Sequence, residues 1–154
     1  MKSLIFFGLI YLVIIPLIAI GCDTSSTTLL PPTNTVTVEN KTIDITLEEF
    51  TADSNITENI EISSGNSLIV ELGSNPTTGY EWEEAVISDT NVISQDSHGF
   101  FAPENKGMVG SGGTDTWTFS ALKAGTATIT FSYGRPWEGG EKGTYTLTVN
   151  VTVK

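Results

Sequence analysis

Residues 144–153 read Thr-Tyr-Thr-Leu-Thr-Val-Asn-Val-Thr-Val, so Tyr145, Leu147, Val149, Val151 and Val153 fall at every second place with Thr or Asn between them. A side-chain period of two gives one buried and one wet face, the pattern of a half-covered β-strand and not of a helix. The alternation recurs upstream. Ala127, Ile129, Phe131 and Tyr133 stand opposite Thr126, Thr128, Thr130 and Ser132, and Trp117 and Phe119 stand opposite threonines. Leu68, Val70 and Leu72 share one side of residues 67–72. Tyr80, Trp82 and Val86 are expected on one face of the next segment; residues 43–47 form another short strand and residues 91–94 a weak one. No stretch carries a convincing helical stripe. Turn chemistry separates the runs at Gly65-Asn66, Asn75-Pro76, residues 107–113 and Gly139-Gly140. Seven or so short strands predict an all-β fold, an immunoglobulin-like antiparallel β-sandwich, with Trp82 in its core and no disulfide for it to pack on.

The 154 residues suit one such domain plus an appendage. Lys2 precedes an apolar run from Leu4 to Ile20, broken only by Gly8 and Pro16. That is short for a spanning helix and fits a secretory signal better. Ala19-Ile20-Gly21-Cys22 resembles a prokaryotic lipoprotein cleavage box, which makes residues 1–22 a signal peptide and Cys22 a lipidation site. An uncleaved membrane anchor is the alternative, and both export the rest of the chain. The product is then a cell-surface or periplasmic lipoprotein, or a secreted protein. Residues 23–35 are rich in Ser, Thr and Pro without periodicity and read as a solvated tether; residues 36–154 are the folded domain.

Eighteen acidic residues face seven Lys and Arg, a formal charge of -11, which excludes a surface that grips phosphate backbones by counterion release. Only Asp23 and Lys2 lie in the first 35 residues, so the acidity belongs to the domain, where it favours solubility. A single cysteine excludes internal disulfides and cysteine-based zinc clusters, and a single histidine leaves no zinc-hydrolase ligand set. No metal or cofactor is expected. His98 sits in Asp96-Ser97-His98-Gly99, which reads as a polar loop with a solvated imidazole. Without a Gly-x-Ser-x-Gly elbow, a hydrolytic triad around His98 is disfavoured, and the chain reads as a non-enzyme.

Three loops differ from plain turns. In Asn75-Pro76-Thr77-Thr78-Gly79, Pro76 fixes its own φ and restricts Asn75, while Gly79 permits positive φ at the start of the next strand. Two small hydroxyl-bearing residues stand at the tip of what reads as either a stiff wedge or an ordinary turn. Residues 107–113 are glycine-rich but precede a strand and not a helix, so they do not cradle phosphate. They form a flap whose backbone lies flat on a partner, or a flexible connector. Arg135-Pro136-Trp137 places interface-type residues in a glycine-flanked loop, with Trp137 either an anchor or folded back onto the sandwich edge. Strand order in an immunoglobulin-like sandwich would bring all three loops to one end.

Asn-Pro-Thr-Thr-Gly-Tyr, then Gly-x-Gly-Gly, then Arg-Pro-Trp, in this order over residues 41–154, resembles the chagasin family of cysteine-peptidase inhibitors. The resemblance implies an immunoglobulin-like sandwich that reversibly inhibits papain-type cysteine proteases by occluding the active-site cleft with three loops. It implies that Asn75, Pro76, Thr77, Thr78 and Gly79 enter the cleft, Thr78 nearest the catalytic thiol, with Tyr80 at a family aromatic position. Gly110, Ser111, Gly112 and Gly113 would run along one side of the cleft, and Arg135, Pro136 and Trp137 would pack on the other. The acidic stretch Glu81–Glu84 beside the first loop would narrow the choice of target. Besides the protease, the leader makes a membrane an expected partner through the N-terminal lipid or anchor, the charge excludes nucleic acid, and the domain is expected to be a monomer. The competing reading is an exported immunoglobulin-like adhesion or ligand-binding module.

Overall fold

Where alternation is cleanest, the chain forms the middle of two packed sheets. The computed structural model describes residues 39–102, 110 and 112–154, all within a compact unit spanning Val36–Lys154. The expected signal peptide, Cys22, the tether and Ser111 lie outside the described residues. The strands are β1 (Lys41–Ile45), β2 (Asn55–Ile62), β3 (Ser67–Ser74), β4 (Glu81–Trp82), β5 (Val86–Ile87), β6 (Ile93–Phe101), β7 (Gly113–Ala121), β8 (Gly125–Gly134) and β9 (Tyr145–Val153). One sheet runs β1-β3-β7-β6 and the other β2-β9-β8-β4, with β5 also on β8. The inward positions of β3, β7, β8 and β9 supply Leu68, Val70, Leu72, Trp117, Phe119, Ile129, Phe131, Leu147 and Val149, all fully buried. Trp117 and Phe131 meet edge-on with centroids 5.0 Å apart, and Trp82 meets Trp117 at 6.5 Å and 89°. Burying each large apolar side chain contributes about 1.5–3 kcal/mol, so these alternating faces hold the sandwich together.

Besides adding β2, which the sequence reading did not include, the structure departs from that reading in four places. First, the sheets are mixed: β1 pairs with β3 and β2 with β9 in parallel, where antiparallel pairing was expected throughout. Parallel neighbours need a crossover, and here the chain from β1 to β3 passes through the opposite sheet. Second, that passage contains a helix, α1 (Leu47–Ala52), so the strand expected over residues 43–47 stops at Ile45. Thr46 and Glu49 form a capping box, Thr46 Oγ1 accepting from the Glu49 N–H at 3.3 Å and Glu49 Oε2 accepting from the Thr46 N–H at 2.8 Å. The helix buries Phe50 completely, against Trp82 at 5.1 Å and Tyr145 at 5.5 Å. Third, Val86 does not share the buried face of Trp82; it is 67% exposed on the two-residue strand β5.

Fourth, residues 96–99 are strand and not loop. A bulge between Gln95 and Ser97 shifts the register by one residue and sets His98 opposite Trp117. The imidazole stacks on that indole at 4.2 Å with a 3° interplanar angle, and its Nε2 lies 2.8 Å from Oδ1 of the buried Asp115. His98 therefore lies on a strand and not in the expected loop, stacked on one face and hydrogen-bonded while still partly exposed to solvent.

Candidate functional site

Strand register brings the three loops together. Ser74, the last residue of β3, pairs with Gly113, the first of β7, so the base of loop 1 (residues 75–79) abuts the end of loop 2. Glu81 of β4 pairs with Gly134 at the end of β8, so the other base of loop 1 abuts loop 3 (residues 135–144). Loop 1 thus lies between the two.

Loop 1 is a single 3-10 turn, Pro76–Thr78, closed by Gly79 in the left-handed region at φ 77°. The Thr78 N–H donates to the Asn75 carbonyl at 3.1 Å and the Gly79 N–H to the Pro76 carbonyl at 3.0 Å. The side chains add a second layer. Thr78 Oγ1 donates to the Asn75 carbonyl and Thr77 Oγ1 to Asn75 Oδ1, each at 2.6 Å. Asn75 is the hub of the loop: its own N–H donates to the Tyr133 hydroxyl at 3.0 Å, and its Nδ2 donates to the Gly110 carbonyl of loop 2 at 3.3 Å. Such a turn is ordered before any partner arrives, with Thr77 and Thr78 exposed at its tip.

On the loop 2 side, the described Gly110 and Gly112 lie against loop 1. A Cβ at Gly112 would stand 2.7 Å from the Ser74 carbonyl oxygen and one at Gly110 4.0 Å from Thr77 Oγ1, so backbone approaches wedge at the distance only glycine allows at Gly112. Gly113 is a strand residue at the base of the loop. On the loop 3 side, Arg135 and Pro136 leave β8 and Trp137 turns back, its carbonyl accepting from the Gly140 N–H at 3.0 Å. Trp137 is 51% exposed, so it neither folds wholly onto the sandwich edge nor stands free. One edge of the indole rests on Gly79, where a Cβ would come within 2.8 Å of Trp137 Cη2.

Aromatic packing carries this contact back into the core. Tyr80 stacks on Tyr133 and Tyr133 on Tyr145, each pair 5.7 Å apart. Arg135 Cζ lies 4.6 Å above the Tyr80 ring and 5.7 Å from that of Trp137, a cation shared by two π-faces. The Tyr80 hydroxyl donates to Glu141 Oε2 at 2.6 Å. That carboxylate raises the Tyr80 pKa above the usual tyrosine value; partial burial acts the same way, and the Arg135 charge opposes both. Lys142 Nζ donates to the Pro136 carbonyl at 2.9 Å and to Glu83 at 3.2 Å, tying down the other limb of loop 3. Beside the wedge, Thr78, Tyr80, Tyr145, Leu47 and Thr51 line an open cleft of about 350 Å³. Among the described residues no group of three or more potential metal ligands converges.

Of the residues singled out from sequence, Asn75, Pro76, Thr77, Thr78, Gly79, Tyr80, Gly110, Gly112, Gly113, Arg135, Pro136 and Trp137 form one continuous pole. Tyr133, Glu141 and Lys142 were not singled out. Each meets its partner across tens of residues, Tyr133 with Asn75 and Glu141 with Tyr80, and no local spacing marks such pairs.

An immunoglobulin-like sandwich presenting a rigid turn, a glycine-lined flank and an aromatic anchor at one end is the architecture of a proteinaceous protease inhibitor. The family model for the chagasin family of peptidase inhibitors (I42) matches residues 61–149, and the chain belongs to that family. It is 36% identical over 95 residues to amoebiasin-2 of Entamoeba histolytica, spanning 62% of this chain and 76% of that one. To chagasin of Trypanosoma cruzi it is 31% identical over 83 residues, spanning 52% and 74%. The crystal structure of the cysteine protease inhibitor EhICP2 from Entamoeba histolytica superposes with a TM-score of 0.59 at 28% identity, covering 75% of this chain and 98% of that one. Membership makes the chain a cysteine-protease inhibitor and not an enzyme.

Proposed function

We propose that the pole formed by loops 1, 2 and 3 plugs the active-site cleft of papain-type cysteine proteases. The observation that carries this is the placement of loop 1: a hydrogen-bonded turn flanked on one side by Gly110 and Gly112 and on the other by Trp137. Thr78 at its tip is the residue directed at the thiolate. Nucleophilic attack needs reacting atoms about 3–3.5 Å apart and aligned. The turn's own N–H and hydroxyl groups engage the Asn75 and Pro76 carbonyls and fix its 3-10 form, so the loop resists the extended geometry in which a scissile carbonyl is presented, and it is bound and not cut. Trp137 supplies an exposed apolar face for the opposite wall of the cleft.

Titration of a panel of papain-type proteases in reducing buffer tests the reading. Inhibition at nanomolar protein supports it; none at high micromolar overturns it. Trp137→Ala should weaken inhibition by about 2 kcal/mol, roughly 30-fold. We also assign residues 1–22 as an export signal and Cys22 as a lipid attachment site, on the run Leu4 to Ile20 followed by Gly21-Cys22. Metabolic labelling with a fatty-acid analogue should mark the wild-type chain and not Cys22→Ser.

A further inference from the structure

Glu141 is held at both ends. Its carbonyl accepts from the Arg135 N–H at 2.6 Å, and its carboxylate accepts from the Tyr80 hydroxyl, also at 2.6 Å. The first bond closes the neck of loop 3; the second spans from loop 3 to the residue that follows loop 1. Tyr80 in turn carries Arg135 on one face and stacks on Tyr133, and Arg135 reaches the Trp137 ring. The indole ends on Gly79. Removing the Glu141 carboxylate leaves the Tyr80 hydroxyl without its acceptor and loosens the platform on which Arg135 lies.

We infer that Glu141 is a positioning residue: through Tyr80 and Arg135 it presets Trp137 against Gly79, so that the anchor loses little freedom when the pole meets its target. This rests on the inhibitor reading above. Preorganisation of this kind raises affinity by lowering the ordering cost on binding, without any new contact to the partner. A charge-assisted hydrogen bond stiffens a rotamer more than a neutral one.

The test pairs NMR of the free protein with inhibition of a sensitive papain-type protease. In the wild type the Trp137 indole should shift the Gly79 α-protons by its ring current, and Trp137→Ala identifies that shift. Glu141→Ala and Tyr80→Phe should each collapse most of it and each raise the inhibition constant roughly tenfold, while the double variant is no worse than either single one. Glu141→Gln keeps an oxygen that can accept the phenol proton but loses the charge, and should fall between the wild type and Glu141→Ala in both signals. Unchanged Gly79 signals in Glu141→Ala overturn the assignment whatever the protease shows, as do fully additive losses in the double variant. If the shift collapses but the wild-type protein inhibits no protease, the positioning stands and the inhibitor reading falls.

Discussion

At the scale of single residues, the pole depends on two glycines in the same backbone state with different surroundings. Gly79 and Gly139 have φ of 77° and 73°; a Cβ at Gly79 would meet Trp137 at 2.8 Å, whereas nothing lies within 4 Å of one at Gly139. Alanine in the left-handed region costs about 1–2 kcal/mol at either site. Only Gly79→Ala must also move the indole. Denaturant unfolding should therefore show similar losses of stability for the two variants, while the inhibition constant rises markedly for Gly79→Ala alone. Tyr80 gives a second residue-scale expectation. Its pKa is raised by the bond to Glu141, so the folded state favours the protonated phenol. The stability this adds is fully present below the ordinary tyrosine pKa and is lost as pH rises through the folded value. Alkaline spectrophotometric titration should show one tyrosine ionising later than free tyrosine, and Glu141→Ala should return it toward the ordinary range.

At the scale of elements, α1 explains how a helix of six residues can matter. So short a helix has little stability of its own, and its burial of Phe50 at the end of the core fixes it. Phe50→Ala should cost about 3–5 kcal/mol, against about 1 kcal/mol for Thr46→Ala at the cap, both read from denaturant midpoints. The central strands were legible because each alternates over many residues and is covered on one face. Those missed had broken alternation. In β2, Glu58 stands between Ile56 and Ile60 on the same side, and among the described residues the strand pairs only with β9. In β6 the bulge at Gln95 and Ser97 shifts the period midway. The helix left a trace, Thr46 followed three residues later by Glu49, but six residues are too few to show a stripe. The loop motifs were readable because their chemistry is local; the Tyr133 and Glu141 contacts depend on topology and were not.

At the scale of the whole molecule, charge is unevenly spread. Among the described residues, Lys41 and Lys154 lie at the end away from the loops and pair with Glu39 and Glu61. At the loop end, Arg135 sits against aromatic rings and Lys142 pairs with Glu83, while Glu81, Glu84 and Glu138 are exposed. Glu81 is three residues from Thr78, at most ~10 Å along the chain, which is about one Debye length at 0.1 M salt. An acidic rim around the wedge should steer the pole toward proteases with cationic cleft edges and slow its approach to acidic ones. With a cationic target, the association rate should fall up to about tenfold between low and high salt. With an acidic target the slope should reverse. Replacing Glu81 and Glu84 together by Gln should flatten both slopes and leave the dissociation rate nearly unchanged, because exposed rim charges act on encounter and not on the packed complex. Stopped-flow inhibition at several ionic strengths measures this. Identical salt slopes for the wild type and the double variant would show that target choice rests on the shape of the three loops and not on the charge around them.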